Sequence, residues 1–169
     1  MRKPNAMPMY LDNFVFGDIS GVKIRILASY HDERGQLIEL FRTNELPIVP
    51  VMAYMSTTKP GVQRGTHEHM TQTDVFVFLN DFLVALFDNR PESSTYGYKM
   101  LFKAAAGTRV VVPPGVVHAY KNVSDQPGVV FNAPDIPYAG WLRDEPVDEI
   151  RHEQDAKSPF NVDIETLWS

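Results

Sequence analysis

Two glycine- and histidine-bearing stretches constrain this chain more than anything else in it. The first runs Gly61-Val-Gln-Arg-Gly-Thr-His67-Glu-His69 and on to Asp74. The second runs Gly107-Thr-Arg-Val-Val-Val-Pro113-Pro-Gly115-Val-Val-His118-Ala-Tyr-Lys-Asn122. Between them lie residues 75–79 and 82–87, two apolar runs of strand length, with Asn80-Asp81 reading as a hairpin turn. Strand ends carrying His67 and His118, separated by hairpins, would face each other across a small barrel. The chemistry of the chain is expected between these two histidines.

The rest of the chain supplies further short strands. Residues 14–16 and 22–27 show apolar positions at strand spacing, and 36–41 follow the turn signal Asp32-Glu33-Arg34-Gly35. Pro47, Pro50 and Pro60 break the next region into extended pieces and loops. Residues 51–56, 98–104, 108–112 and 129–132 read as strands, and 88–97 as a loop. Strands of this length and spacing predict a single all-β domain over 1–169, a jelly-roll barrel with added N-terminal strands. Residues 1–12, with Pro4 and Pro8, read as a poorly ordered lead-in. The charged stretch 143–155 predicts a short helix after Pro146, and Pro159-Phe160 and Leu167-Trp168 are expected to dock the tail.

Composition narrows the functional classes. A net charge of −5 argues against broad nucleic-acid binding, which needs a basic face. With no cysteine, disulfides and thiolate metal sites are excluded. No apolar run reaches the roughly 18 residues of a membrane span, and the N-terminus lacks the apolar stretch of a signal peptide. A cytoplasmic protein is the expectation.

The spacing Gly107-x5-Pro113-x-Gly115-x2-His118-x3-Asn122 resembles the second sequence motif of the cupin superfamily, and Gly61-x5-His67-x-His69-x4-Asp74 resembles the first. Most of the chain also resembles the dTDP-4-dehydrorhamnose 3,5-epimerase family, itself of cupin fold. The resemblance is carried by Asp32-Glu33-Arg34-Gly35 with Glu39, by Arg64-Gly-Thr-His67, and by Asp88-x-Arg90 with Ser94-Thr95-Tyr96-Gly97. Pro114-Gly-x-x-His118-Ala-Tyr and Gln154-Asp155 with Pro159 extend it.

The resemblance implies proton abstraction from the carbon next to a ketone of a nucleotide-diphosphate sugar. His67 would be the base and Asp155 the carboxylate that orients it. Arg34 and Arg64 would grip the diphosphate, Glu39 would accept from the nucleobase, and His118 and Tyr138 would contact substrate. A homodimer is implied, with the segment around Arg34 reaching the partner's pocket. At the position of the family's catalytic tyrosine stands Phe131, and at that of its lysine stands Asp74. The missing tyrosine implies exchange of one carbon-bound proton rather than two. No cofactor is expected in that reading. Two other readings stay open: a metal-dependent enzyme holding Fe, Mn, Ni or Zn on His67, His69, Asp74 and His118, since His-x-His on a strand puts both rings on one face, and a sugar-binding protein without catalysis.

Overall fold

The structure, a computed structural model, describes residues 10–168. Thirteen strands appear in it: β1 (Val15–Phe16), β2 (Lys23–Ile26), β3 (Ser29–Asp32), β4 (Gly35–Ile38), β5 (Tyr54–Thr58), β6 (Gln63–Glu68), β7 (Asp74–Phe78), β8 (Phe82–Asp88), β9 (Tyr98–Ala104), β10 (Thr108–Val112), β11 (Val116–Asn122), β12 (Gly128–Asn132) and β13 (Ile150–Arg151). They form a six-stranded sheet ordered β1-β9-β8-β11-β6-β13 and a five-stranded sheet ordered β2-β10-β7-β12-β5, while β3 and β4 make a separate hairpin. The two large sheets close over a core of Phe76, Phe78, Phe82, Leu86, Val110, Val116 and Val130. This is the expected jelly roll.

Several local expectations change. Asn80-Asp81 is not a hairpin turn: β7 pairs with β10 and β12, whereas β8 pairs with β9 and β11, so the connection crosses between sheets. Both runs are almost wholly buried, which fits strands covered on two faces better than a half-exposed hairpin. No helix forms after Pro146. Residues 150–151 add β13 to the edge of β6, and His152–Gln154 make one 3-10 turn. Among the described residues every helix is of the short 3-10 kind, and none is long and apolar enough to cross a membrane. The lead-in expected over 1–12 lies mostly outside the described residues, and Leu11–Asn13 form a 3-10 turn.

The tail docks through Phe160 and Leu167 as expected, joined by Ile164, while Pro159 and Trp168 stay exposed. The docked side chains cover the outer face of the six-stranded sheet together with Phe14, Phe87 and Val117. Phe14 meets both Phe87 and Phe160 edge-on, with ring centroids 5.7 Å apart in each case.

One irregularity aims the site. Along the β6–β11 ladder His67 faces His118 and Arg64 faces Tyr120, so an extra residue is fitted into β6. In a regular strand residues 64 and 67 would point to opposite faces; the bulge turns both into the barrel. Gly65 at its centre has φ +87°, and a Cβ there would lie 2.5 Å from the carbonyl oxygen of His118. Only glycine fits.

Candidate active site

The mouth of the barrel holds a cavity of about 920 Å³. Its walls include Arg64, His67 and His69 from β6 and its end, His118 and Tyr120 from β11, Tyr54 and Ser56 from β5, and the irregular segment that follows β12. That segment brings Tyr138, Trp141, Arg143 and Glu149 to the rim. Two histidine clusters sit in this cavity, close enough that the His67 and His118 rings meet edge-on at 6.1 Å.

The first cluster is His67 with two carboxylates. Nε2 of His67 lies 2.9 Å from Oε1 of Glu153, and Nδ1 lies 3.4 Å from Oε1 of Glu149. Only the Nε2 contact is a hydrogen bond, and a carboxylate only accepts, so a neutral ring carries its proton on Nε2 toward Glu153 and leaves the Nδ1 lone pair unbonded beside Glu149. Glu149 is held in turn by Nε of Arg151 at 2.6 Å. The carboxylate on Nε2 of His67 is therefore that of Glu153 and not that of Asp155. Asp155 is exposed and accepts from the backbone N–H of Lys157 at 2.9 Å. The signal for a carboxylate was present in the charged stretch, but the chain there leaves β13 in a 3-10 turn that no sequence period marks.

The second cluster is His69, Asp74 and His118, whose donor atoms all lie within 4.8 Å of one another. Oδ2 of Asp74 is 3.2 Å from Nε2 of His69 and 3.6 Å from Nε2 of His118. Its other oxygen accepts from the amides of Gln72 and Asn132, each at 2.8 Å. Nδ1 of His69 contacts the carbonyl of Asp148, and Nδ1 of His118 lies 3.2 Å from the carbonyl of Val116. Burial works against a charge on His69, but the hydrogen bond and field of Asp74 outweigh it and carry the imidazole up to about 9. Burial pushes His118 down to about 4 despite the pull of the same carboxylate. Burial would also raise Asp74, yet His69 and His118 hold its carboxyl below the usual range. His69 is thus the charged imidazole and His118 the neutral one.

The four residues expected to share a metal are divided by the structure. His69, Asp74 and His118 converge, while His67 is drawn off by Glu153 and Glu149. The three that remain suit a divalent ion. Both Nδ1 atoms face carbonyls, which turns each Nε2 toward Asp74, and the carboxylate is itself hydrogen-bonded.

Arg64 lines the cavity with its guanidinium steadied by Thr58 Oγ1 and the carbonyl of Thr57, both at 2.9 Å. Tyr138 stands half out of the rim, its N–H on Met52 Sδ at 3.0 Å. Arg34 and Glu39 lie outside this chain's cavity. Arg34 caps the β3–β4 hairpin, exposed and paired with Asp32, and Glu39 is bound by Arg42 at 2.6 and 2.8 Å. Phe131 also lies outside. It stacks on Phe41 on the outer side of the five-stranded sheet, with ring centroids 6.3 Å apart, while its neighbours Val130 and Asn132 point inward. The identity of residue 131 therefore says nothing about the acid in the pocket.

Two phenols that the sequence reading assigned no role are in the cavity instead, Tyr54 and Tyr120. Tyr54 accepts from the Asn132 amide at 2.9 Å, which leaves its own O–H to donate elsewhere. Burial pushes this phenol up to about 12. Tyr120 shares a hydrogen bond of 3.2 Å with Ser56.

Comparison with known proteins agrees with this architecture. Residues 30–135 match the family model described as the polysaccharide biosynthesis C-terminal domain. The chain belongs to this family. It is 35% identical over 123 residues to the probable low-salt glycan biosynthesis epimerase Agl13 of Haloferax volcanii, a match covering 69% of this chain and 79% of that protein. The fold is shared with solved structures. A dTDP sugar isomerase from Desulfovibrio desulfuricans G20 superposes with a TM-score of 0.74 at 21% identity, covering 86% of this chain and 91% of that one. A dTDP-6-deoxy-D-glucose-3,5-epimerase from Legionella pneumophila Philadelphia 1, in complex with dTDP-4-keto-L-rhamnose, superposes with a TM-score of 0.70 at 20% identity over 89% and 82% of the two chains.

Proposed function

We propose that this chain is a cytoplasmic epimerase or isomerase of a dTDP-4-keto-6-deoxy sugar, acting in the supply of precursors for a polysaccharide. The observation that carries the proposal is His67 held between Glu153 and Glu149 inside a cavity large enough for a sugar nucleotide. The relatives named above, a glycan epimerase and two dTDP-sugar enzymes, support it.

The chemistry follows from the atoms. Nδ1 of His67 takes a proton from the carbon beside the ketone, and the imidazolium that forms lies between two carboxylates, which stabilise it. Because His69 and His118 both turn Nε2 to Asp74, the cation left to face the enolate oxygen is Arg64. The proton for the opposite face of the sugar is assigned to Tyr54, a phenol of the cavity wall whose O–H is left free to donate. Arg143 and Arg151 stand at the rim for the diphosphate.

Arg34 and Glu39 fit this function only across a dimer. The β3–β4 hairpin carries exposed Tyr30 and Leu37, and exposed Ile24 and Ile26 lie on β2, the edge strand of the five-stranded sheet that leads into it. A homodimer pairing this apolar edge would cover it and bring the hairpin to a second cavity.

The test is NMR of dTDP-4-keto-6-deoxyglucose in D2O with the protein. Deuterium should enter a ring carbon next to the ketone, and His67→Ala should abolish this. Absence of exchange with any 4-keto sugar would sink the assignment.

A second reading is favoured by the donor set at His69, Asp74 and His118. These residues would hold Fe, Mn, Ni or Zn, and such an ion would supply a Lewis acid for the ketone oxygen. Metal analysis of protein purified without a histidine tag decides it: stoichiometric metal that is lost in His69→Ala supports this reading, and none supports the metal-free one.

A further inference from the structure

Consecutive residues of β6 and of the 3-10 turn His152–Gln154 are cross-paired. His67 reaches into the cavity and meets Glu153; the next residue, Glu68, points to the outer face of the sheet and meets His152. Both distances are 2.9 Å. The inner pair bears on the reaction proposed above, but neither residue of the outer pair lines the cavity.

The outer pair is strongly held. Glu68 is 5% exposed, and its carboxylate accepts from Nδ2 of Asn89 at 3.0 and 3.2 Å as well as from His152. Nδ1 of His152 takes the hydroxyl proton of Ser158 at 2.8 Å, and its ring lies 4.9 Å from that of Phe160. Ser158 Oγ in turn accepts from the N–H of Phe160. Asn89, Glu68, His152 and Ser158 form one chain of hydrogen bonds linking the end of β8, β6, the turn and the tail.

The inner pair is held differently. Glu153 gives one oxygen to His67, and its other oxygen, Oε2, is buried without a hydrogen-bond partner among the described residues. A carboxylate on two or more rotatable bonds, with one contact, does not fix its own position. Its place comes from the backbone of the turn, and the side chain that fastens this backbone is His152, one residue before it.

We infer that the Asn89–Glu68–His152–Ser158 chain is the device that positions Glu153 against His67, with Glu68 and His152 as its positioning residues. It acts through the backbone of the turn and not through substrate. The inference rests on the reading of His67 and Glu153 as the proton-transfer pair, and it deepens that reading by naming what aligns the pair.

The experiment uses the full chain with Glu68→Gln, His152→Gln and the milder variant Ser158→Ala, each alone and in a Glu153→Ala background. Two readouts are taken. The first is the 15N spectrum of the His67 ring, which reports its tautomer without requiring turnover. The second is the rate of substrate exchange, split into kcat and KM. In the otherwise wild-type chain, Glu68→Gln and His152→Gln should replace a single Nε2–H tautomer by a mixture. They should lower kcat about tenfold and leave KM within about twofold. Ser158→Ala should do the same to a smaller degree. In the Glu153→Ala background these substitutions should have no further effect on kcat or on the ring signals, because the group they position is gone. Two results would overturn the inference: loss of melting temperature with the tautomer and kcat unchanged, or an equal fall of kcat with and without Glu153. If the protein turns over no 4-keto sugar, the reaction is wrong, and the 15N spectrum still decides whether the outer pair aligns the inner one.

Discussion

The two histidine clusters share one cavity and one residue type, yet differ in what surrounds them. His67 is 21% exposed at its side chain and has a carboxylate at each ring nitrogen, both from the segment that closes over the edge of β6. His69 and His118 lie deeper and share a single carboxylate, Asp74, which is 1% exposed and contributed by the opposite sheet. The first arrangement hydrogen-bonds only one ring nitrogen, so the other, 3.4 Å from Glu149, can take and give a proton. The second ties up both rings and fixes one charge. Position of the carboxylates and access to water, rather than the imidazole itself, separate a mobile proton from a fixed one.

The comparison breaks most visibly by removing one histidine at a time. His67→Ala should lower deuterium exchange by about 10²- to 10⁴-fold, the usual range for a general base, and leave the fold intact. If His69→Ala lowers the rate as much while His67→Ala does not, the roles are reversed. Asp74→Asn should act on stability instead. It leaves the charged His69 buried without its counter-ion, a loss of about 3–5 kcal/mol, read as a fall in denaturation midpoint. The same change at Glu153, Glu153→Gln, should leave that midpoint almost unmoved while slowing exchange.

Titration sharpens the contrast. His69 stands at about 9 in the fold against an ordinary 6.5, so its contribution is complete below about 6.5 and is lost as pH rises through about 9. His118 stands at about 4, so unfolding is favoured as pH falls from about 6.5 toward 4, where the unfolded imidazole gains a proton that the folded one refuses. Metal-free protein should therefore be most stable near pH 6–7, and should lose about 3 kcal/mol of unfolding free energy on the alkaline side. Urea melts from pH 4 to 10 in the presence of a chelator measure this. A flat profile would mean that His69 and Asp74 do not form the ion pair. The smallest effect is expected at Phe131→Tyr, which should leave exchange within about twofold because the residue stacks outside the barrel.

The jelly roll and the meeting of His67 with His118 were legible in the sequence, because spaced glycines, prolines and histidines mark turns and strand ends whose geometry allows few alternatives. Three things were not. The Asn80-Asp81 connection looks like a hairpin because a local pattern shows where a strand ends, not which sheet the next one joins. Phe131 was misread because a one-residue difference in register moves a side chain to the other face of the sheet, and the inward position belongs to Asn132. Glu153 was displaced to Asp155 because the charged stretch follows neither the helical nor the strand period, so its inward face is set by β13 pairing and by His152.

The carboxylate of Asp148 accepts the N–H groups of Met70, Thr71 and Gln72 at 2.8, 2.8 and 2.9 Å and the Thr71 hydroxyl at 2.6 Å. At the other end of the same irregular segment, the carbonyl of Pro134 takes the N–H of Val51 at 2.9 Å. Most of the chain between these anchors, including Tyr138, Trp141 and Arg143, lines the ligand space. Such a loop behaves as an exchangeable cassette. Insertions or replacements over residues 136–146 would be absorbed between two fixed posts, and His67 with its carboxylates would keep their places while the outline of the admitted sugar nucleotide changed. Substrate range in this protein can therefore drift or be engineered independently of the proton-transfer machinery.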